Sequence, residues 1–232
     1  FSQKLMKKVV LVRAAVKKQD FEKNFNKKEV QIIFIGSFAN PDDFYLKGGL
    51  QAFEVYRRLS KEFENLRFVV SCKVPEEIKE KYKDLKNVRI IEQKLSPEEI
   101  REMYVNSDIC LNPGNVYVLM ATLEAMSYGI PIVFLDTYSV RDYIKNNVTG
   151  ILVKPSDKVL GYRTKEYPCN VRTKEFLLQV KKIDERVIKE LCNAVKKLVI
   201  DSKLREMLGK NAKKMAEIKF SLETKNMKLK KI

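Results

Sequence analysis

Histidine is absent from all 232 residues. Its absence removes the usual general base near neutrality, the Ser/His and Cys/His nucleophile systems and the commonest transition-metal ligand. The four cysteines, Cys72, Cys110, Cys169 and Cys192, stand far apart and form no CxxC pair, so neither a zinc site nor a disulfide framework is indicated. No apolar run approaches the roughly 20 residues that cross a bilayer, and no charged-then-apolar signal segment opens the chain. The phosphate fingerprints GxxxxGK(S/T) and GxGxxG are missing as well. Carboxylates, lysine, arginine, hydroxyls and backbone dipoles are left to carry any chemistry, and a cytoplasmic protein is expected. Because the chain opens on Phe1 rather than Met, further sequence is expected upstream.

Positive charge is what the chain has in excess, with 46 Lys and Arg against 30 Asp and Glu, a net +16. Such a surplus favours anionic partners: nucleic acid, an acidic membrane face or phosphorylated small molecules. The lysine pairs are scattered along the chain, as on a generally solvated surface. From Lys203 to Ile232 ten Lys and Arg stand against three Glu; this basic tail reads first as an ordinary terminal helix docked by its apolar stripe, and otherwise as a peripheral contact with an anionic inner membrane face. Nucleic acid is the weaker alternative, because no RNP, KH or zinc-finger signature and no basic stretch interleaved with aromatics is present. A hydrophobic content of 45% supplies an ordinary globular core.

From Val30 onward short β-rich runs alternate with amphipathic stretches. VQIIFIGSF, LRFVVS, NVRII, DICLN, IPIVFLD and GILV read as strands. LQAFEVYRRLSKEF, PEEIKEKYKDL, SPEEIREMYVNS and VLMATLEAMSYG read as helices. The third carries a capping box of Ser96, Pro97 and Glu99, and the fourth is stopped by Gly129. A short helix is expected near 140–145, and two more at 184–200 and 202–218 close the chain. Strand–helix alternation with short connections predicts right-handed βαβ units, hence an α/β, Rossmann-like, doubly wound parallel sheet. In such sheets ligands lie beyond the carboxyl ends of the strands. Residues 1–28, with the strand-like KKVVLVRAAV, read as a lead-in from another domain. Residues 29–232 form the main domain, interrupted by a surface insertion at 158–182 in which RTKE occurs twice.

Two loops have the chemistry of a phosphate site. GSFANPDDFYLKGG joins a strand end at Gly36 and Ser37 to a helix beginning at Lys47, Gly48 and Gly49, where glycine lets a ligand approach the backbone and unpaired N–H groups face outward. NPGNVYVLMATLEAMSYGIPIVF, residues 112–134, opens with a turn containing Gly114 and Asn115, then a helix with Met120, Ala121 and Thr122 near its start. Its single formal charge is Glu124, and a lone carboxylate there needs water, a partner or a ligand. One reading pairs it with a nearby lysine; another sets it against the vicinal hydroxyls of a ribose whose phosphate rests on the helix terminus.

With IIFIGSF followed by KGG, LSPEEIREMYVNSDICLNP, ATLEAMSYGIPIV, NNVTGILVKPSD and KFSLETKNMKLKKI, the stretch from about Val30 to Ile232 resembles the C-terminal, nucleotide-sugar-binding domain of the retaining GT-B glycosyltransferases of family 4. The resemblance implies sugar transfer from a nucleoside diphosphate donor with retention of configuration, no bound metal and no cofactor beyond the donor substrate. It implies that Lys47 neutralises the diphosphate, that Glu124 binds the ribose and that amides near Met120 and Ala121 hold phosphate. It further implies an acceptor-binding N-terminal domain or partner chain. Three places depart from the family pattern, one of them the SCK at the end of LRFVVS, where a glycine-containing turn is usual. Ser37 stands where an arginine usually pairs with the lysine, and Val116 replaces a sugar-binding glutamate eight residues before Glu124. These departures are what an inactive binding or scaffolding domain with the same fold would show.

Overall fold

The computed structural model describes residues 10–116, 119–159 and 173–230. Six parallel strands, β1 (Val30–Ile35), β2 (Leu66–Ser71), β3 (Val88–Ile91), β4 (Ile109–Asn112), β5 (Ile132–Leu135) and β6 (Gly150–Val153), form one sheet in the order 3-2-1-4-5-6. The expected α/β, Rossmann-like class is the one observed. Ile32, Ile33 and Phe34 of β1 are wholly buried in succession, the signature of a strand covered on both faces.

The connecting helices are α1 (Asp42–Leu46), α2 (Gly49–Leu59), α3 (Glu76–Lys81), α4 (Pro97–Asn106) and α5 (Leu119–Ser127); α6 (Lys174–Val180), α7 (Glu185–Ile200), α8 (Ser202–Lys219) and α9 (Leu222–Leu229) follow the last strand. Helix α4 begins at the expected capping box, with Ser96 accepting from the Glu99 amide and Glu99 reaching back to the Ser96 amide. Helix α5 ends at Gly129 in the left-handed region (φ 71°), where Gly129 N–H donates to the Met126 carbonyl and Ile130 N–H to that of Ala125. This paired closure is the reason for glycine there. Helix α2 packs on α7, and α8 packs against α7, β6 and α5.

Five expectations need correction. The loop between β1 and α2 contains α1, because Phe44, Tyr45 and Leu46 are all buried and Phe44 packs edge-on to Phe34 and Tyr45. Of the strand-like lead-in, the described part from Val10 onward forms no strand. Only Val16 pairs, in an isolated bridge to Ser221, because the segment runs beside the C-terminal helices rather than along a sheet edge. The short helix expected near 140–145 is a 3-10 turn at Tyr138–Asp142. A third closing helix, α9, starts at the Ser221 cap. Residues 160–172 of the insertion lie outside the described residues, but its end is no surface appendage. Phe176 and Val180 of α6 are buried, and the Val180 carbonyl accepts from Gln51 Nε2 at 3.0 Å.

Candidate functional site

The order 3-2-1-4-5-6 places the reversal of winding between β1 and β4. Those two strands pair only at Ile32 with Ile109 and Ile33 with Cys110, then diverge. A crevice beyond their carboxyl ends is where open α/β sheets bind ligands. Both glycine loops singled out in the sequence emerge there.

Gly36 follows β1 directly. Its amide donates to the Ser71 carbonyl at 3.1 Å, and a side chain on it would collide with Cys72, 2.6 Å from that residue's Cβ. Ser37 shapes the loop: its hydroxyl accepts from the Ala39 amide and its carbonyl from the Lys73 amide. Lys47 follows α1 and donates from Nζ to the Gly36 carbonyl at 3.3 Å, so its ammonium lies over the end of β1. Cys72 senses that charge, yet burial outweighs it and pushes the thiol up to about 12.

Gly48 caps α2 in the left-handed region (φ 85°), and a Cβ on it would sit 2.3 Å from the Pro113 carbonyl oxygen. The two loops are therefore in backbone contact. Hydrogen bonds from the Asn115 and Val116 amides to the Leu46 carbonyl, at 2.9 and 3.2 Å, lock the contact. Gly114 belongs to the same junction, since a side chain there would meet the Val116 and Lys47 carbonyls at 2.8 and 3.1 Å. Asn115 is buried, and Val116 is half-buried against the core.

Helix α5 carries the remaining candidates. Met120 is exposed in its first turn, whereas Ala121 and Thr122 face inward, Thr122 completely. The first four amides of a helix have no carbonyl partner within it, and the α5 terminus, starting at Leu119, presents this set beside the crevice. Thr122 offers no exposed hydroxyl.

Glu124 is half-buried, and its partner is not a lysine. Tyr104 on α4 donates its hydroxyl to Glu124 Oε2 at 2.7 Å. Burial first, then the adjacent carboxylate charge, pushes the Tyr104 hydroxyl well above the ordinary phenol range, so it stays a donor. Two contributors to this end of the sheet were missed in the sequence. Tyr104 reads there as an apolar-face aromatic of α4, and only the need of a buried hydroxyl for a partner hints at more. Asn112 closes β4, with Oδ1 accepting from the Ile35 amide at 3.2 Å across the diverging strands, while its buried Nδ2 has no partner among the described residues. Among the described residues no cluster of His, Cys, Asp and Glu could hold a metal ion. Also among them, no helix is long and apolar enough to cross a membrane.

The model of the family described as glycosyl transferases group 1 matches residues 15–160. No curated protein sequence matches the chain significantly. Among solved structures, the C-terminal domain of the glycosyl transferase group 1 family protein LpcC from Francisella tularensis superposes with a TM-score of 0.62 at 16% identity, covering 89% of this chain and 96% of that one. The pneumococcal O-GlcNAc transferase GtfA, solved with UDP and GlcNAc, gives 0.65 at 15% identity over 94% of this chain and 37% of its own. Sucrose-phosphate synthase from Thermosynechococcus elongatus gives 0.66 at 15% identity over 96% and 51%. The chain thus spans nearly all of an isolated C-terminal domain and between about a third and a half of the longer enzymes. Its fold is that of GT-B C-terminal domains.

Proposed function

This chain belongs to the glycosyl transferases group 1 family, and we propose that it binds the nucleoside diphosphate sugar donor of a retaining glycosyltransferase in the crevice between β1 and β4. The observation that carries this reading is the junction of two glycine loops at the switch point, with the Lys47 ammonium above it and the α5 terminus beside it.

A diphosphate in the crevice would meet a full positive charge from Lys47 and the partial charge of the α5 amides. When the bond from the anomeric carbon to the diphosphate oxygen breaks, negative charge grows on the departing group. Donors fixed beforehand at that place lower the barrier without histidine or a protein-bound metal. The acceptor oxygen bonds to the same carbon and passes its proton to the departing diphosphate oxygen. Glu124, one and a half turns into α5, suits the donor ribose, because a carboxylate accepts well from two vicinal hydroxyls. UDP in the GtfA structure supports a uridine donor as the first to try. The acceptor would be presented by an N-terminal domain or partner chain. The basic tail would favour an anionic membrane or a lipid-linked acceptor.

Ser37 and Val116 favour a second reading, in which the fold survives as a binding module without catalysis. Here Ser37 organises its own loop and Val116 packs on the core, so neither supplies charge to the crevice. Calorimetric titration with UDP and GDP, free and sugar-linked, tests the donor reading. One nucleotide is expected to bind saturably, and Lys47→Ala and Glu124→Ala are each expected to weaken it roughly 10- to 100-fold, the worth of one hydrogen bond to a charged group. Absence of binding by the folded wild-type chain would overturn the reading. Tight binding without sugar transfer, once an acceptor domain is supplied, would favour the module.

A further inference from the structure

We propose that Tyr104 is the positioning residue that holds the Glu124 carboxylate ready for the donor ribose, an inference that rests on the donor-binding reading of the crevice. The Tyr104 side chain is almost wholly buried, and its hydroxyl reaches Glu124 Oε2 at 2.7 Å. No other donor to that carboxylate is present among the described residues. One carboxylate oxygen is therefore tied down by the protein and the other is left to accept from a ligand.

The tyrosine cannot drift. Its ring stacks on Tyr128 with centroids 5.1 Å apart and planes 11° from parallel, and Tyr128 lies one turn after Glu124 at the end of α5. The acid and the stacking ring are thus one turn apart at the end of α5, with Tyr104 wedged against both. The end of α4 that carries Tyr104 is fixed in turn by Lys23. That ammonium donates to the carbonyls of Tyr104, Val105 and Ser107 at 3.2, 2.9 and 2.6 Å. A flexible glutamate on a helix surface would lose rotamer freedom when a ribose bound. Here the fold has already imposed that restriction, which is how a supporting hydrogen bond raises affinity without touching the ligand.

The test uses UDP or GDP, whichever binds the wild-type chain, together with its 2′,3′-dideoxy analogue and inorganic pyrophosphate. Affinities are measured by calorimetry for the wild type, Tyr104→Phe and Glu124→Gln. The phenylalanine keeps the stacked ring, and pyrophosphate reports whether the fold and the diphosphate subsite survive.

The wild type is expected to prefer the ribonucleotide by roughly tenfold or more, as expected for hydrogen bonds to a charged group. Tyr104→Phe is expected to weaken the ribonucleotide roughly 5- to 20-fold, leaving the dideoxy ligand and pyrophosphate unchanged, so that the preference collapses. An undiminished preference in Tyr104→Phe would overturn the role of Tyr104 while leaving Glu124 as the ribose acid. Equal weakening of all three ligands would reduce Tyr104 to a fold-maintaining residue. No preference in the wild type, with pyrophosphate still bound, would remove Glu124 from the ribose and the proposal with it. Failure of every ligand to bind the wild type would overturn the donor reading itself.

Discussion

Gly48 is where the crevice tolerates least change. Its φ of 85° is costly for any L side chain, and a Cβ would press within 2.3 Å of the Pro113 carbonyl oxygen, a backbone atom that cannot swing aside. Gly48→Ala is expected to lower stability by about 1–3 kcal/mol from backbone strain alone. It should weaken nucleotide binding further, because relief requires the two loops to part. Thermal melting and calorimetry on the same sample measure both. At this scale the sequence is legible in part. That Glu124 stands alone is visible from its neighbours. That its partner is Tyr104 is not, because twenty residues and a whole strand separate them and nothing local marks a hydroxyl that will be buried. The same holds for Asn112, whose amide replaces a strand-to-strand hydrogen bond only because β1 and β4 diverge above Ile33.

Among elements, α2 is fastened to its surroundings by a carboxylate. Glu54 is nearly buried; burial would raise its pKa, yet hydrogen bonds from Arg57 and Arg58 hold it down to about 2, and Tyr82 donates to it as well. A carboxyl with a folded-state pKa below its ordinary 4.5 contributes stability above that value and loses it as pH falls from 4.5 through about 2. The melting temperature of the wild type should therefore exceed that of Glu54→Gln by a constant margin above pH 5.5 or so, and the margin should shrink across that acid window. A margin independent of pH would show that the carboxylate charge contributes nothing. Elements with strong local signals are readable in advance, as α4 is from its capping box and α5 from Gly129. Helix α1 is not, since five residues reading DDFYL show no period. It forms because Phe44 finds the aromatic cluster of Phe34, Phe53 and Phe68 beneath it.

For the molecule as a whole, strand order places the candidate site. Alternation of strands and helices is enough to predict a parallel sheet with ligands beyond its carboxyl edge, but it leaves five loops as candidates. Only the order 3-2-1-4-5-6 makes neighbours of the loops after β1 and β4, whose glycines are 66 residues apart at Gly48 and Gly114. A second concavity, about 360 Å³, lies between α4 and strands β2 and β3, lined by Arg67, Arg89, Glu99 and Glu102. Its opposite charges balance, so it offers a diphosphate no net positive charge. A crystal structure of the chain grown with the nucleoside diphosphate it binds most tightly is the most direct test. The diphosphate is predicted between Lys47 and the start of α5, with the ribose hydroxyls on Glu124 beside Tyr104. Density for the nucleotide in the cavity beneath α4, or a diphosphate distant from Lys47, would contradict the account.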